Sequence, residues 1–152
     1  FVTGENVVYP EIGQFIFNSP SVFNFFRPGY APNGELKDLG LVAPEFQITT
    51  ASTIVGISNL MDAMTFGEEV TFFESPAPFS QQVYLDLNTE IALAANAGAL
   101  VNHLDVVLTY GTLTTTTRDA VVTAVSELQD PLERVYRAIY LISISPDFAI
   151  AL

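Results

Sequence analysis

The stretch NAGALVNHLDVVLTYGTLTTTTRDAVVTAVSELQDPLERVYRAIYLIS, residues 96–143, holds three helix patterns in succession, each with its own start signal. Asn96 is placed to cap a helix over 97–110 that carries Leu100, Leu104, Val107 and Leu108 on one side. Gly111 follows at the position where a left-handed C-cap is wanted. Thr114 is placed to cap a second helix over 115–128, with Val121, Val122 and Val125 as its apolar residues. Asp130-Pro131 opens the third. Proline is tolerated at a first helical position because the N–H it lacks would be unpaired there anyway, and Glu133 adds capping-box spacing. That helix runs to Ser143 and presents Val135, Ala138, Ile139 and Ile142. Connections this short make consecutive helices antiparallel neighbours. Ser145-Pro146 starts a last turn that ends near Ile150.

Upstream the character changes. Seven of the nine prolines and eleven of the twelve phenylalanines lie before position 80. Ser19-Pro20 has the same helix-start form, and Ala43-Pro44-Glu45 is a weaker variant with an acid in the first turn. From Pro44 to about Phe66 the steps of three and four between Ile54, Ile57, Met61 and Met64 predict a central, nearly buried helix. Thr49-Thr50 and Ser52-Thr53 lower its intrinsic propensity, so burial would have to hold it. Thr71-Phe72-Phe73 reads as a short isolated strand. The expectation is therefore a mainly α fold in one domain, 1–152, with an irregular aromatic-rich segment over 1–43 and a bundle of about five helices over 44–152.

Composition narrows the function. The 152 residues are 49% hydrophobic and 14% charged, enough apolar surface for a core and unlike a disordered tail. Five Lys and Arg against seventeen Asp and Glu give a net charge of −12, which counts against nucleic acid and anionic membranes as partners. With no Cys there is no disulfide, thiolate metal site or cysteine nucleophile, and one His excludes a His pair as ligands. No apolar run reaches the roughly 20 residues needed to cross a bilayer as a helix. No glycine-rich phosphate loop, nucleophile elbow or zincin motif occurs, so neither cofactor nor metal is expected. The acidic, Lys- and Arg-poor, Cys-free composition suits an exported bacterial protein or one from saline water.

Several constellations have both a functional and a plainer reading. His103 would serve as a general base if Asp86 or Glu90 oriented it; the plainer reading is a half-buried or surface His. Asp86 and Glu90 stand four apart and would face the same way on a helix over 87–95, yet Ca²⁺ needs six to eight oxygens, so solvated acids are the simpler reading. Glu68, Glu69 and Glu74 form a loop cluster read in the same way. Phe15, Phe17, Phe23, Phe25, Phe26 and Tyr30 suggest a sugar-stacking platform, but the chain has no Trp, and core filling is the default. Beside them Asn24, Arg27, Glu45 and Gln47 form the candidate polar cluster, either a site or a structural staple built on an Arg27–Glu45 ion pair.

The segment Asn18-Ser19-Pro20-Ser21-Val22-Phe23-Asn24-Phe25-Phe26-Arg27-Pro28-Gly29-Tyr30, followed by Gly40-Leu41-Val42-Ala43-Pro44-Glu45-Phe46-Gln47-Ile48-Thr49, resembles the C-terminal region of the DUF1800 family of bacterial proteins. Tyr84-Leu85-Asp86-Leu87, Leu100-Val101-Asn102-His103-Leu104, Arg134-Val135-Tyr136-Arg137-Ala138-Ile139-Tyr140-Leu141 and the ending Ser145-Pro146-Asp147-Phe148-Ala149-Ile150 extend the resemblance over nearly the whole chain from about Gly13. The resemblance implies the last third of an exported protein several hundred residues long, with a DUF1501-like exported protein as a possible partner. It implies no catalytic residues. The reading that follows is a helical interaction or structural module, packed on the remainder of its own longer chain and prone to self-association. The alternatives are part of an extracellular or periplasmic hydrolase-like enzyme with catalytic groups upstream, and a subunit of an extracellular filament or surface assembly.

Overall fold

The computed structural model describes residues 2–3, 6–7, 12–14, 19–66, 70–71, 82–83 and 85–149. Its chain divides into two compact units, residues 1–60 with 71–82 and residues 61–70 with 83–152. The architecture is mainly α, as the sequence predicts.

In the first unit, β1 (Val2–Thr3) pairs antiparallel with β2 (Asn6–Val7). A short helix α1 (Glu35–Asp38) and a 3-10 turn (Pro44–Gln47) precede helix α2 (Ala51–Phe66), whose last six residues carry it into the second unit. Two expectations fail here, for identifiable reasons. Ser19-Pro20 starts no helix, because the Ser21 hydroxyl accepts the Phe23 N–H at 3.1 Å and Asn24 turns the backbone left-handed at φ 69°. Such local side-chain bonds offer the backbone an alternative to the helical ladder. The helix expected from Pro44 is likewise interrupted over residues 48–50. Thr50 Oγ1 accepts the Thr53 N–H at 3.2 Å while Thr53 Oγ1 accepts the Thr50 N–H at 2.7 Å and donates to Ile48 O at 2.6 Å. The threonines that looked like weak helix formers are a reciprocal cap that starts α2 afresh at Ala51. Gly13, at φ +76°, lies so near this cap that an added Cβ would stand 3.4 Å from both Ile48 and Thr53.

Helix α2 is also not the buried helix its spacing predicts. Thr53, Gly56 and Thr65 are its buried residues, and Ile54, Val55 and Ile57 are exposed. Among the described residues of the first unit no hydrophobic side chain is fully buried.

The second unit holds the core. Strand β3 (Val70–Thr71) pairs with β4 (Gln82–Val83), each with one residue in either unit, and the second unit continues with α3 (Asn88–Leu93), α4 (Ala97–Thr109), α5 (Thr115–Ser126), α6 (Pro131–Ser143) and α7 (Pro146–Ala149). Phe72 and Phe73 of the expected strand, and the acids Glu68, Glu69 and Glu74, lie outside the described residues. Asn96 Oδ1 accepts from Ala99 N at 3.0 Å, Thr114 Oγ1 from Thr117 N at 3.3 Å, and Asp130 Oδ1 from Glu133 N at 2.8 Å. Each cap satisfies an N–H the first turn leaves open, and each contributes about 1 kcal/mol. Helices α4, α5 and α6 pack pairwise, with α3 on α4 and α6 and α7 on the same two. Leu100, Val101 and Leu104, Val121 and Val125, and Val135, Ala138 and Ile142 meet in the centre. Val107 is exposed instead of buried, because the inward stripe of α4 runs through 100, 101, 104, 105 and 108 and leaves position 107 at its edge.

One inward position of α4 is a carboxylate. Asp105 is 4% exposed. Its Oδ1 accepts from Thr109 Oγ1 at 2.6 Å and from Leu113 N at 3.1 Å, and its Oδ2 pairs with Arg118 Nη2 at 3.2 Å. Tyr110 takes the left-handed C-cap at φ 57°, one residue before the expected glycine, and Gly111 continues at φ 80°. Phe66 closes the unit's other side, with its ring 5.8 Å from those of Tyr136 and Tyr140 and the Arg137 guanidinium 5.4 Å above it.

A last tie joins α7 to the start of α5. Asp147 Oδ2 accepts from both the N–H and the hydroxyl of Thr114 at 2.9 Å. Hydrogen bonds from Thr117 and then from Thr114 hold the Asp147 carboxyl below its ordinary value of 3.8. A folded-state pKa below the unfolded one stabilises the fold in full above the unfolded value, and the effect disappears as pH falls through the lower folded value. Asp147→Asn is therefore expected to cost a constant amount of stability at neutral pH, with the gap to the native chain closing below about pH 4 in urea titrations. The core makes a second prediction by the same assay: Leu100→Ala costs about 3 kcal/mol, while Val22→Ser, at a residue 95% exposed, changes stability by less than about 0.5 kcal/mol.

Candidate functional site

The candidate cluster is built from two irregular segments that local hydrogen bonds shape. Around Asn24 the chain makes a tight loop, with Asn24 N donating to Ser21 O at 3.1 Å and Ser21 Oγ contacting Asn24 O at 3.4 Å. Asparagine tolerates the left-handed backbone this loop demands better than any branched residue would. Tyr30 N then closes on Arg27 O at 3.0 Å.

Two bonds bring the second segment alongside. Ala43 N donates to Tyr30 O at 2.8 Å, and Gln47 Oε1, at the end of the 3-10 turn, accepts the Arg27 backbone N–H at 2.7 Å. The two sequence motifs thus meet, but not through the expected staple. Among the described residues Arg27 forms no ion pair with Glu45; both side chains are exposed, and a backbone N–H with a glutamine oxygen makes the link. An exposed ion pair gains little in water, and the exposed backbone bond to Gln47 is worth about 1 kcal/mol net.

A pocket of about 240 Å³ opens at this junction, lined by Pro20, Ser21, Asn24, Phe25, Phe26, Arg27 and Gln47. Three of the four candidate residues line it, and Glu45 does not. Phe25, Phe26 and Tyr30 are half-buried and Phe23 is exposed, so the described aromatics line a surface instead of filling a core. Phe15 and Phe17 lie outside the described residues.

The second constellation is elsewhere. Glu90 on α3 approaches His103 on α4, Oε1 to Nε2 at 2.8 Å. Asp86 precedes α3 and instead accepts from Asn88 N at 3.2 Å and Asn88 Nδ2 at 2.7 Å. The orienting carboxylate foreseen for His103 is therefore Glu90. The pair ties α3 to α4, and among the described residues no hydroxyl is hydrogen-bonded to His103.

The other cations are occupied. Arg118 donates to Asn102 Oδ1 and to Asp105, and Arg134 to Ala94 O at 2.6 Å and to Leu128 O. Lys37 Nζ donates to Asn33 Oδ1 at 3.2 Å, and Arg137 lies over Phe66. Sequence reading did not single out Asp105 or Arg118. The available signal was an acid within the apolar stripe of α4.

The family model described as "Protein of unknown function (DUF1800)" matches residues 6–150. No curated protein and no solved structure matches the chain.

Gln47→Ala removes the only side chain that holds the Arg27 N–H among the described residues. Amide hydrogen exchange at Arg27 is expected to accelerate about fivefold, the size of one net hydrogen bond, with the amides of α4 and α6 unchanged. Unchanged exchange at Arg27 would mean the 2.7 Å bond does not hold the two segments together.

Proposed function

Because the chain belongs to the DUF1800 family, we propose that it is a helical interaction and structural module of a longer exported protein of that family. Its first unit docks against the remainder of the same longer chain. The supporting observation is a mismatch between apolar content and burial. Val22, Leu39, Leu41, Val42, Ile54 and Val55 are each more than half exposed, while every fully buried hydrophobic residue described belongs to the second unit. Covering a large apolar side chain of this kind contributes about 1.5–3 kcal/mol. The family resemblance supplies the occupant, a preceding segment of a chain several hundred residues long. The acidic, Cys-free composition supports export. Among the described residues no helix is long and apolar enough to cross a membrane.

The pocket beside Arg27 favours a second reading, in which this part forms a wall of an enzyme whose catalytic groups lie upstream.

Light scattering on the 152-residue chain tests the docking role. The chain is expected to associate as concentration rises, and the double substitution Ile54→Glu with Val55→Glu to weaken that association at least about tenfold. A chain that stays monomeric and binds no hydrophobic dye would overturn the reading. Growth into regular fibres or sheets would favour the assembly-subunit alternative.

A further inference from the structure

We propose that the pocket lined by Phe25, Phe26, Pro20, Asn24, Arg27 and Gln47 binds a small organic carboxylate with a flat apolar body. The site uses none of the residues on which the docking role rests, and it goes beyond that role.

Charge is the first argument. The chain carries −12 overall, yet among the described residues no acid lines this pocket and Arg27 does. Among the described cations Arg27 is the one whose side chain has no carboxylate, carbonyl, amide or aromatic ring as partner, since Arg118, Arg134, Arg137 and Lys37 are each engaged. A guanidinium at the edge of an apolar cavity is matched to a carboxylate, whose two oxygens take its parallel N–H donors.

The glutamine supplies the second. Its Oε1 is committed to the Arg27 backbone N–H, and only oxygen can accept that proton. Nε2 is thereby left as a donor on a residue that lines the pocket. Asn24, whose side-chain amide has no hydrogen-bond partner among the described residues, is a further polar residue of the lining.

Size and lining give the rest of the ligand. A cavity of about 150 Å³ suffices for benzene, and drug-sized ligands take roughly 300 Å³ or more. The 240 Å³ here lies between them, room for a single ring or short branched chain plus a carboxylate. Phe25, Phe26 and Pro20 offer that body an apolar surface on which to stack. Inorganic phosphate would leave those walls unused.

The test is an NMR titration of the 152-residue chain with phenylacetate, phenylacetamide and inorganic phosphate in parallel. Phenylacetate is expected to shift the amides of residues 24–27 and 47 with a Kd of about 1 mM. Phenylacetamide and phosphate are expected to bind at least about tenfold more weakly. Arg27→Gln should weaken phenylacetate at least about tenfold, and its exposed, uncommitted side chain makes loss of fold an improbable cause. Gln47→Glu is the second variant. It keeps an oxygen for the Arg27 N–H while adding a negative charge, so binding should fall with the local amide spectrum retained. No shift with phenylacetate overturns the proposal. So does equal binding of the amide or of phosphate, or binding unaffected by either substitution. Self-association is read separately by scattering, so failure here leaves the docking role standing, and the reverse holds too.

Discussion

A buried carboxylate organises the helical unit. Asp105 occupies an inward position of α4, where an unpaired charge would be prohibitive, and three donors from the end of α4, the following turn and α5 converge on it: the Thr109 hydroxyl, the Leu113 N–H and the Arg118 guanidinium. The donors come from later in the chain, so the charge is satisfied only when α4 ends at Thr109, the backbone turns left-handed at Tyr110 and α5 returns alongside. The carboxylate thus specifies a particular turn, where apolar packing alone would accept several. Once that turn is set, the stripes of α4 and α5 face each other and α6 covers both.

The first unit follows a different logic. Its shape comes from short-range polar bonds, including the Ser21 loop, the paired Thr50 and Thr53 cap and the Gln47 clip on Arg27. Bonds of this kind set local geometry and bury little apolar surface. That accounts for a region that is ordered locally while many of its large side chains face water. It also accounts for the pocket, since two segments clipped at the backbone leave their side chains apart instead of packed together.

Much of the helical unit was legible in the residues. Asn96, Thr114 and Asp130 each announce a helix start through an acceptor that bonds within its own first turn, and no distant partner is needed to read it. The family was legible for a related reason, because the motifs at 18–30 and 40–49 are long and unusual in composition. Ser19-Pro20 misled because the same serine–proline form serves helix starts and turns alike, and the hydroxyl of the next residue but one decided between them. The Thr50–Thr53 run misled in the opposite direction: scored as poor helix formers, those residues are a cap.

For the candidate site the division lies between membership and connection. By itself the sequence determined the mainly α class, the positions of the last helices, the family, and the polar residues Asn24, Arg27 and Gln47 beside a phenylalanine cluster, because periodicity, capping and composition are local properties. Only the tertiary structure decided that Gln47 and not Glu45 meets Arg27, that it meets a backbone N–H and not the guanidinium, and that a pocket stands between them. The same holds for the exposed face of α2 and for the buried role of Asp105. Partner choice across twenty residues of chain depends on how loops close and which groups lose water, and no spacing in a single sequence encodes either.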